Sequence, residues 1–219
     1  MWKLPVVIGL AAAIAWGQEE TPDKRLRESA DVLREVLSAP DRGVPHDLLD
    51  RARCVIVVPG MKKGALIFGA DYGRGFAVCR SANSWGGPAS VRMGGGSFGA
   101  QLGVESTDVV ILVMNQRGMD RLTGDKFTLG ADASAAIGPV GRTATADTDA
   151  KLTAEMLSYS RTKGAFAGIA LDGATITPDR AEDKKLYGRD VKNGEIIRGQ
   201  VPPPPTADPL VSVLKQYSR

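Results

Sequence analysis

Three short apolar runs follow one another between Cys54 and Cys79: Cys54–Val58, Ala65–Gly69 and Gly75–Cys79. Glycine-bearing segments separate them, Pro59–Gly64 and Asp71–Arg74. Runs of about five β-branched and aromatic residues bounded by Gly and Pro predict strands of a meander, with the glycine segments as its turns. Asp108–Asn115 (DVVILVMN) is the most apolar run of the chain and predicts a central strand. Ala89–Met93 and Ser97–Gly103 predict two more strands around Gly94-Gly95-Gly96, after a polar loop over Ser81–Pro88 that carries Trp85. Lys151–Ser160, Gly164–Leu171 and Ala174–Thr177 predict the last three, with hairpins at Arg161-Thr162-Lys163 and Asp172-Gly173. Between 126 and 142 the residues are small and apolar, and Gly130, Gly138 and Gly141 argue against a helix.

A second period marks the helices. Thr21-Pro22-Asp23 supplies an N-cap, a proline at the first helical position and an acid in the first turn. Leu26, Ala30, Leu33 and Leu37 then recur at helical spacing with Val36 beside them, and Ala39-Pro40 stops the helix. Such an amphipathic helix either docks its stripe on the sheet or lies on a membrane surface. His46–Arg53 predicts a short second helix with Leu48, Leu49 and Ala52 facing inward. Gln116–Leu122 predicts a helical turn, and Thr177-Pro178-Asp179 repeats the first capping pattern ahead of a helix over Pro178–Leu186 that ends at Gly188. Pro202–Pro205 predicts a stiff extended spacer before a last segment, Asp208–Tyr217. The pattern specifies an α+β fold, mostly an antiparallel β-sheet meander flanked by amphipathic helices, in a single compact domain.

Composition sharpens this only in places. The 219 residues are 43% apolar with 26 glycines, enough for one core and many tight turns. A formal net charge of +3, from 28 Lys and Arg against 25 Asp and Glu, gives no strong global field, so no nucleic-acid partner is expected. Residues 1–17 read as a signal peptide: cationic Met1-Trp2-Lys3, an apolar run over Leu4–Trp16, and small residues at Ala15 and Gly17. That divides the chain into a leader, a main domain over 18–192 and a proline-containing tail over 193–219. It also places the mature protein outside the cytoplasm, periplasmic or secreted and free to associate peripherally with a membrane, the alternative being an uncleaved N-terminal membrane tether. In an exported chain the even cysteine count favours a Cys54–Cys79 disulfide, the alternative being two buried thiols.

Candidate chemistry is sparse. Gly95–Gly99 matches G-x-S-x-G, and Gly94, Gly96 and Gly99 match G-x-G-x-x-G. The first needs a helix after the serine and a downstream histidine, and the second a helix to hold a pyrophosphate. The only histidine, His46, lies upstream, and its neighbours Asp47 and Asp50 fit a short surface helix. No enzyme, metal site or cofactor is expected. The better candidates are the cationic turns Lys62-Lys63 and Arg74, with Arg161 and Lys163 as a second tip. Each cation near an anionic bilayer contributes about 1 kcal/mol.

The chain resembles the SYLF domain, a family of lipid-binding modules. The motifs that carry the likeness include Val44-Pro45 with Leu48-Leu49 and Ala52, Val57-Val58-Pro59 with Lys63-Gly64, and Tyr72-Gly73-Arg74-Gly75. Further on come Gly99-Ala100-Gln101-Leu102-Gly103, Gly138-Pro139 with Gly141-Arg142, Tyr159-Ser160 with Lys163-Gly164 and Phe166, and Leu186-Tyr187-Gly188. The resemblance implies strands with flanking helices and binding of phosphoinositide-type or other acidic lipids. In eukaryotic members it also implies membrane remodelling and actin binding. It carries lipid contact onto the helix Pro22–Ser38, with Lys24 and Arg25, and onto Lys62, Lys63 and Arg74. Two features depart from the pattern. The export signal makes cytosolic actin and inositol lipids improbable partners and bacterial anionic phospholipids the plausible ones. Asp23, Glu28, Asp31 and Glu35 also offset the first helix's cations. The expected function is a non-catalytic lipid-binding module. The rival is a periplasmic structural or protein-interaction module without lipid specificity, meeting its partner through the proline tail.

Overall fold

Along the strand that opens at Cys54, Cys54, Ile56 and Val58 point to one side and Val55 and Val57 to the other, and all five are buried. Period two in a strand makes this possible only if both faces of the sheet are covered. The computed structural model describes residues 20–39, 43–63, 70–81, 84–96, 105–140, 153–162 and 165–218. The predicted leader, the predicted strands over 65–69 and 97–103, and Ser97 and Gly99 of the glycine motifs lie outside these residues.

Within them, nine strands form one sheet. They are β1 (Cys54–Lys63), β2 (Ala70–Ser81), β3 (Ser84–Gly96), β4 (Glu105–Val113), β5 (Phe127–Thr128), β6 (Ala135–Ile137), β7 (Met156–Thr162), β8 (Ala165–Gly168) and β9 (Thr175–Pro178). The order across the sheet is β5-β9-β3-β2-β1-β4-β7-β6, with β8 also on β7. Every pairing is antiparallel except β6 with β7. The described helices are α1 (Pro22–Ser38), α2 (His46–Arg51), α3 (Gln116–Leu122), α4 (Arg180–Tyr187), α5 (Asn193–Ile197) and α6 (Asp208–Tyr217). The mostly antiparallel α+β domain expected from the pattern is the one observed.

One core lies between the sheet and α1, α2 and α6. Val55, Val57, Phe76, Val78, Val110 and Leu112 meet Leu26, Leu33, Val36, Leu49, Leu210 and Leu214 there. Burying each such side chain contributes about 1.5–3 kcal/mol. The second core holds Ile56, Val58, Ala77, Val109, Ile111 and Val113 under Leu122, Phe127, Leu129, Leu171, Ile196 and Ile197. Cys54 and Cys79 face each other in the β1–β2 register and are joined by a disulfide inside this second core.

Helix α1 begins as its capping residues specify: Thr21 accepts a hydrogen bond from the Lys24 N–H at 3.3 Å, and Pro22 opens the first turn. Its stripe is buried against the sheet, so the docked alternative holds and no apolar face of α1 is left for a bilayer. Asp208–Tyr217 packs on α1, and Trp85 Nε1 donates to Ser218 Oγ at 2.8 Å beyond it. His46 joins the same corner, 3.0 Å from the Leu37 carbonyl and edge-on to the Tyr217 ring.

Several boundaries differ from the expectation. The glycine segments around Tyr72 are strand, not turn. Pro59–Lys63 continues β1 through a register slip, with Gly60 at φ +56°, and Asp71–Arg74 pairs with Arg92–Gly95. The glycines serve close approach: a Cβ on Gly75 would lie 1.9 Å from the Val57 carbonyl oxygen. Among the described residues the outer runs of the predicted meander, in β1 and β2, pair directly with each other. Trp85 belongs to β3, not to a loop, because its ring is buried beneath Arg80, 4.4 Å away. A turn forms at Asp172-Gly173, yet it makes no hairpin, since β9 crosses to pair with β3 and β5. Helix α4 starts after Asp179, whose side chain accepts from the Glu182 N–H, while Thr177-Pro178 ends β9.

Beneath α4, Asp183 is fully buried and its Oδ1 accepts from the Ser90 N–H at 2.7 Å. Burial pushes its carboxyl up to about 6. In the unfolded chain it titrates near ~3.9, so the folded state takes up the proton first and gains stability as the pH falls through that interval. Asp179 acts oppositely: burial raises it, but Arg92's hydrogen bonds and charge hold it low overall. The stability it adds is lost only below the ordinary carboxylate range. Urea unfolding should therefore show the protein about 1 kcal/mol more stable at pH ~5 than at pH ~7. Asp183→Asn should lose most of that gain, and an equal gain in the variant would refute the assignment.

Candidate functional site

Alternation along five adjacent strands decides which polar side chains share a face. Phe76 and Val78 pack under the helices, so Arg74 and Tyr72 point to the helix side of β2. Val91, Met93 and Met61 lie in the opposite core, which turns Arg92 of β3 and Lys62 of β1 the same way. Val110 and Tyr159 likewise bring Ser106 and Asp108 of β4 and Arg161 of β7 to that face. Register completes the row. Arg92 stands opposite Arg74, Tyr72 opposite Lys62, Lys62 opposite Ser106, and Asp108 opposite Arg161.

The two ends of the row differ electrically. At one end Arg92 grips the buried Asp179 with two bonds, Nε to Oδ2 at 2.8 Å and Nη2 to Oδ1 at 2.6 Å. Arg74 Nε lies 3.3 Å from the same carboxylate and donates to the Tyr72 hydroxyl at 2.7 Å. Two guanidiniums thus share one carboxylate beside an aromatic ring that is 48% exposed, and Lys62 next to it is also exposed. Short-range charge at this corner is positive.

At the other end, Arg161 is held by Asp108, whose Oδ1 also accepts from the Gly60 N–H at 2.8 Å, and by Glu35 of α1. A cleft of about 520 Å³ runs between α1 and the sheet here, with Glu20, Glu28, Asp31 and Asp108 outnumbering Lys62 and Arg161 in its wall. Burial and then the Glu20 carboxyl push Glu28 up. Burial acts on Glu20 in the same sense, but hydrogen bonds from Glu28 and Lys24 and the Arg25 charge bring it down. Carboxylates thus outnumber cations in the cleft, whereas cations outnumber carboxylates at the corner, with Lys62 bordering both.

The predicted cations separate accordingly. Lys62 and Arg74 converge, from strands where turns were expected. Lys63 pairs through its backbone with Asp71 and Glu105, its side chain and Lys163 lying outside the described residues. Arg161 lies at the acidic end. Lys24 is exposed between Glu20 and Glu28, 3.3 Å from each. Arg25 is a correction: it is buried and ion-paired with the buried Glu182 of α4, so it cannot reach a surface. Arg92, Tyr72 and Asp179 were missed. A signal existed for Arg92: in Ala89-Ser90-Val91-Arg92-Met93 the apolar positions alternate, placing a cation on the second face of a strand covered on both sides.

Residues 94–217 match the Ysc84 family, described as Las17-binding protein actin regulator. The chain belongs to this family. The Ysc84 match begins inside β3 and runs through α6, so most of the corner's strands precede it. Pairwise similarity reaches further. An SH3 domain-containing protein of Schizosaccharomyces pombe is 36% identical over 83% of this chain and 43% of its own length. LAS seventeen-binding protein 3 of Saccharomyces cerevisiae is 34% identical over 80% of this chain and 39% of its own. SH3 domain-containing YSC84-like protein 1 of Homo sapiens is 27% identical over 88% of this chain and 58% of its own. The chain thus spans roughly two to three fifths of these Ysc84 relatives.

A buried ion pair costs most when one partner is removed, about 3–5 kcal/mol. Arg25→Met, which strands Glu182, should lower the unfolding free energy by that order. Arg25→Met with Glu182→Leu should recover most of it. A single variant as stable as the parent in urea would show that the pair does not hold α1 to α4.

Proposed function

We propose that this chain is a non-catalytic binding domain that meets acidic lipid headgroups with the Arg92–Arg74–Tyr72–Lys62 corner. It works as an exported protein, periplasmic or secreted, at a membrane surface. The observation that carries this reading is the convergence of three cations from three adjacent strands on one face beside an exposed tyrosine. Guanidiniums recognise phosphate oxygens in a fixed fork, and a tyrosine ring suits the boundary between headgroup and chain. Among the described residues no helix is long and apolar enough to cross a membrane, and the α1 stripe is spent on the core. Contact therefore falls to the sheet end.

The names of the relatives favour a second reading, a protein partner in place of lipid: one is called a LAS seventeen-binding protein and another an SH3 domain-containing protein. Ionic strength separates the two, since exposed cation–headgroup attraction is screened by salt and a packed protein interface responds little.

Vesicle co-sedimentation tests the lipid reading. The chain should pellet with phosphatidylglycerol or cardiolipin vesicles at low salt, stay soluble with neutral vesicles, and be released at high salt. Lys62→Ala, on an exposed side chain outside both cores, should weaken acidic-vesicle binding about fivefold, the equivalent of about 1 kcal/mol. Failure to pellet with acidic vesicles at low salt would overturn the reading and leave the protein-partner one.

A further inference from the structure

The segment joining α5 to α6 has a burial pattern of its own. Val201 is buried, Pro204 is half-buried and Ala207 is buried, whereas Pro202, Pro203, Pro205 and Thr206 are exposed. From Val201 to Pro204, ahead of the 3₁₀ turn that brings in Ala207, the buried and half-buried positions stand three apart. Three is the period of the polyproline II helix, whose every third residue shares an edge. The backbone agrees: Pro204 has φ −70° and ψ 152°. Proline also fixes φ and keeps the residue before it extended, a constraint that acts here on four successive residues from Val201 to Pro204.

The segment is tied down along its length. Val201 joins the second core and Ala207 the first. Pro203 lies across β3, where a Cβ on Gly87 would come within 3.2 Å of the Pro203 Cα. Pro205–Ala207 closes with one turn of 3₁₀ helix leading into α6. The edge of Val201 and Pro204 therefore faces the domain, Pro203 touches β3 yet stays exposed, and Pro202 and Pro205 are exposed.

We propose that Pro202–Pro204, with Pro205 following at the head of the 3₁₀ turn, is a preformed polyproline II ligand, presented to a partner domain with an aromatic-lined groove of the kind that reads PxxP. Such grooves grip the exposed rings of the helix, and Pro202, Pro203 and Pro205 present exposed surface for that contact. Anchoring at both ends removes the ordering cost that a flexible peptide bears on binding. This surface is separate from the lipid corner and does not depend on it.

The test is a titration of ¹⁵N-labelled SH3, WW and EVH1 domains with the full chain, followed by their amide spectra. At least one should show shifts confined to its aromatic groove, saturable and displaced by a free polyproline peptide. Pro202→Ser with Pro205→Ser, which alters only exposed positions, should weaken that binding about tenfold with the melting temperature kept. Displacement by the peptide reads the same site without any variant. No groove shifts in any of the three domains would overturn the proposal, as would shifts unaffected by the double substitution in a folded protein.

Discussion

A sheet covered on both faces leaves its polar side chains one place to go, beyond the end of the elements that cover it. This constraint shapes the molecule. β1 over Cys54–Val58 and β4 over Val109–Val113 are apolar at every position because α1, α2 and α6 press on one face and α3, α5 and the segments around Phe127 and Leu171 on the other. Beyond these apolar stretches the strands turn polar together, and Arg92, Arg74, Tyr72, Lys62, Asp108 and Arg161 emerge as one row, with α1 alongside its far end. Among the described residues the candidate site is thus a product of strand register and of the helices packed beside it.

Charge within the row is sorted by what α1 and α4 bring to it. Asp179, the cap of α4, is held by two arginines and leaves their corner positive. The carboxylates of α1 crowd the opposite end. Arg25 and Glu182 meanwhile fasten the two helices beneath the row, so the helix whose cations suggested a lipid contact acts mainly as a clamp. The chain's near-neutral total hides this division, because a balanced count says nothing of how charge is placed.

Much of the fold was legible in the sequence. DVVILVMN reads as a central strand and is one, and Thr21-Pro22 starts a helix at the expected residue. Glycine was the main source of error. Gly73 carries the same signal as a turn glycine, but it lets β2 approach Val58, whose Cγ1 a Cβ there would meet at 2.5 Å, a contact set by the partner strand. Cations were the second. Lys24 and Arg25 are adjacent, yet one is exposed and the other buried against Glu182, 157 residues away. No local pattern encodes that partner. Membership of the Ysc84 family was legible because it rests on motifs in order along the chain, which survive errors at individual boundaries.

The central claim is that the domain meets its surface with the sheet end while α1 stays docked. Hydrogen exchange of the chain with and without acidic vesicles tests this most directly. The account predicts slower exchange around Lys62, Tyr72–Arg74 and Arg92 when vesicles are present, with the amides of Pro22–Ser38 unchanged. Faster exchange along α1 with the strand ends unaffected would mean that the helix leaves the sheet to enter the bilayer, and would contradict it.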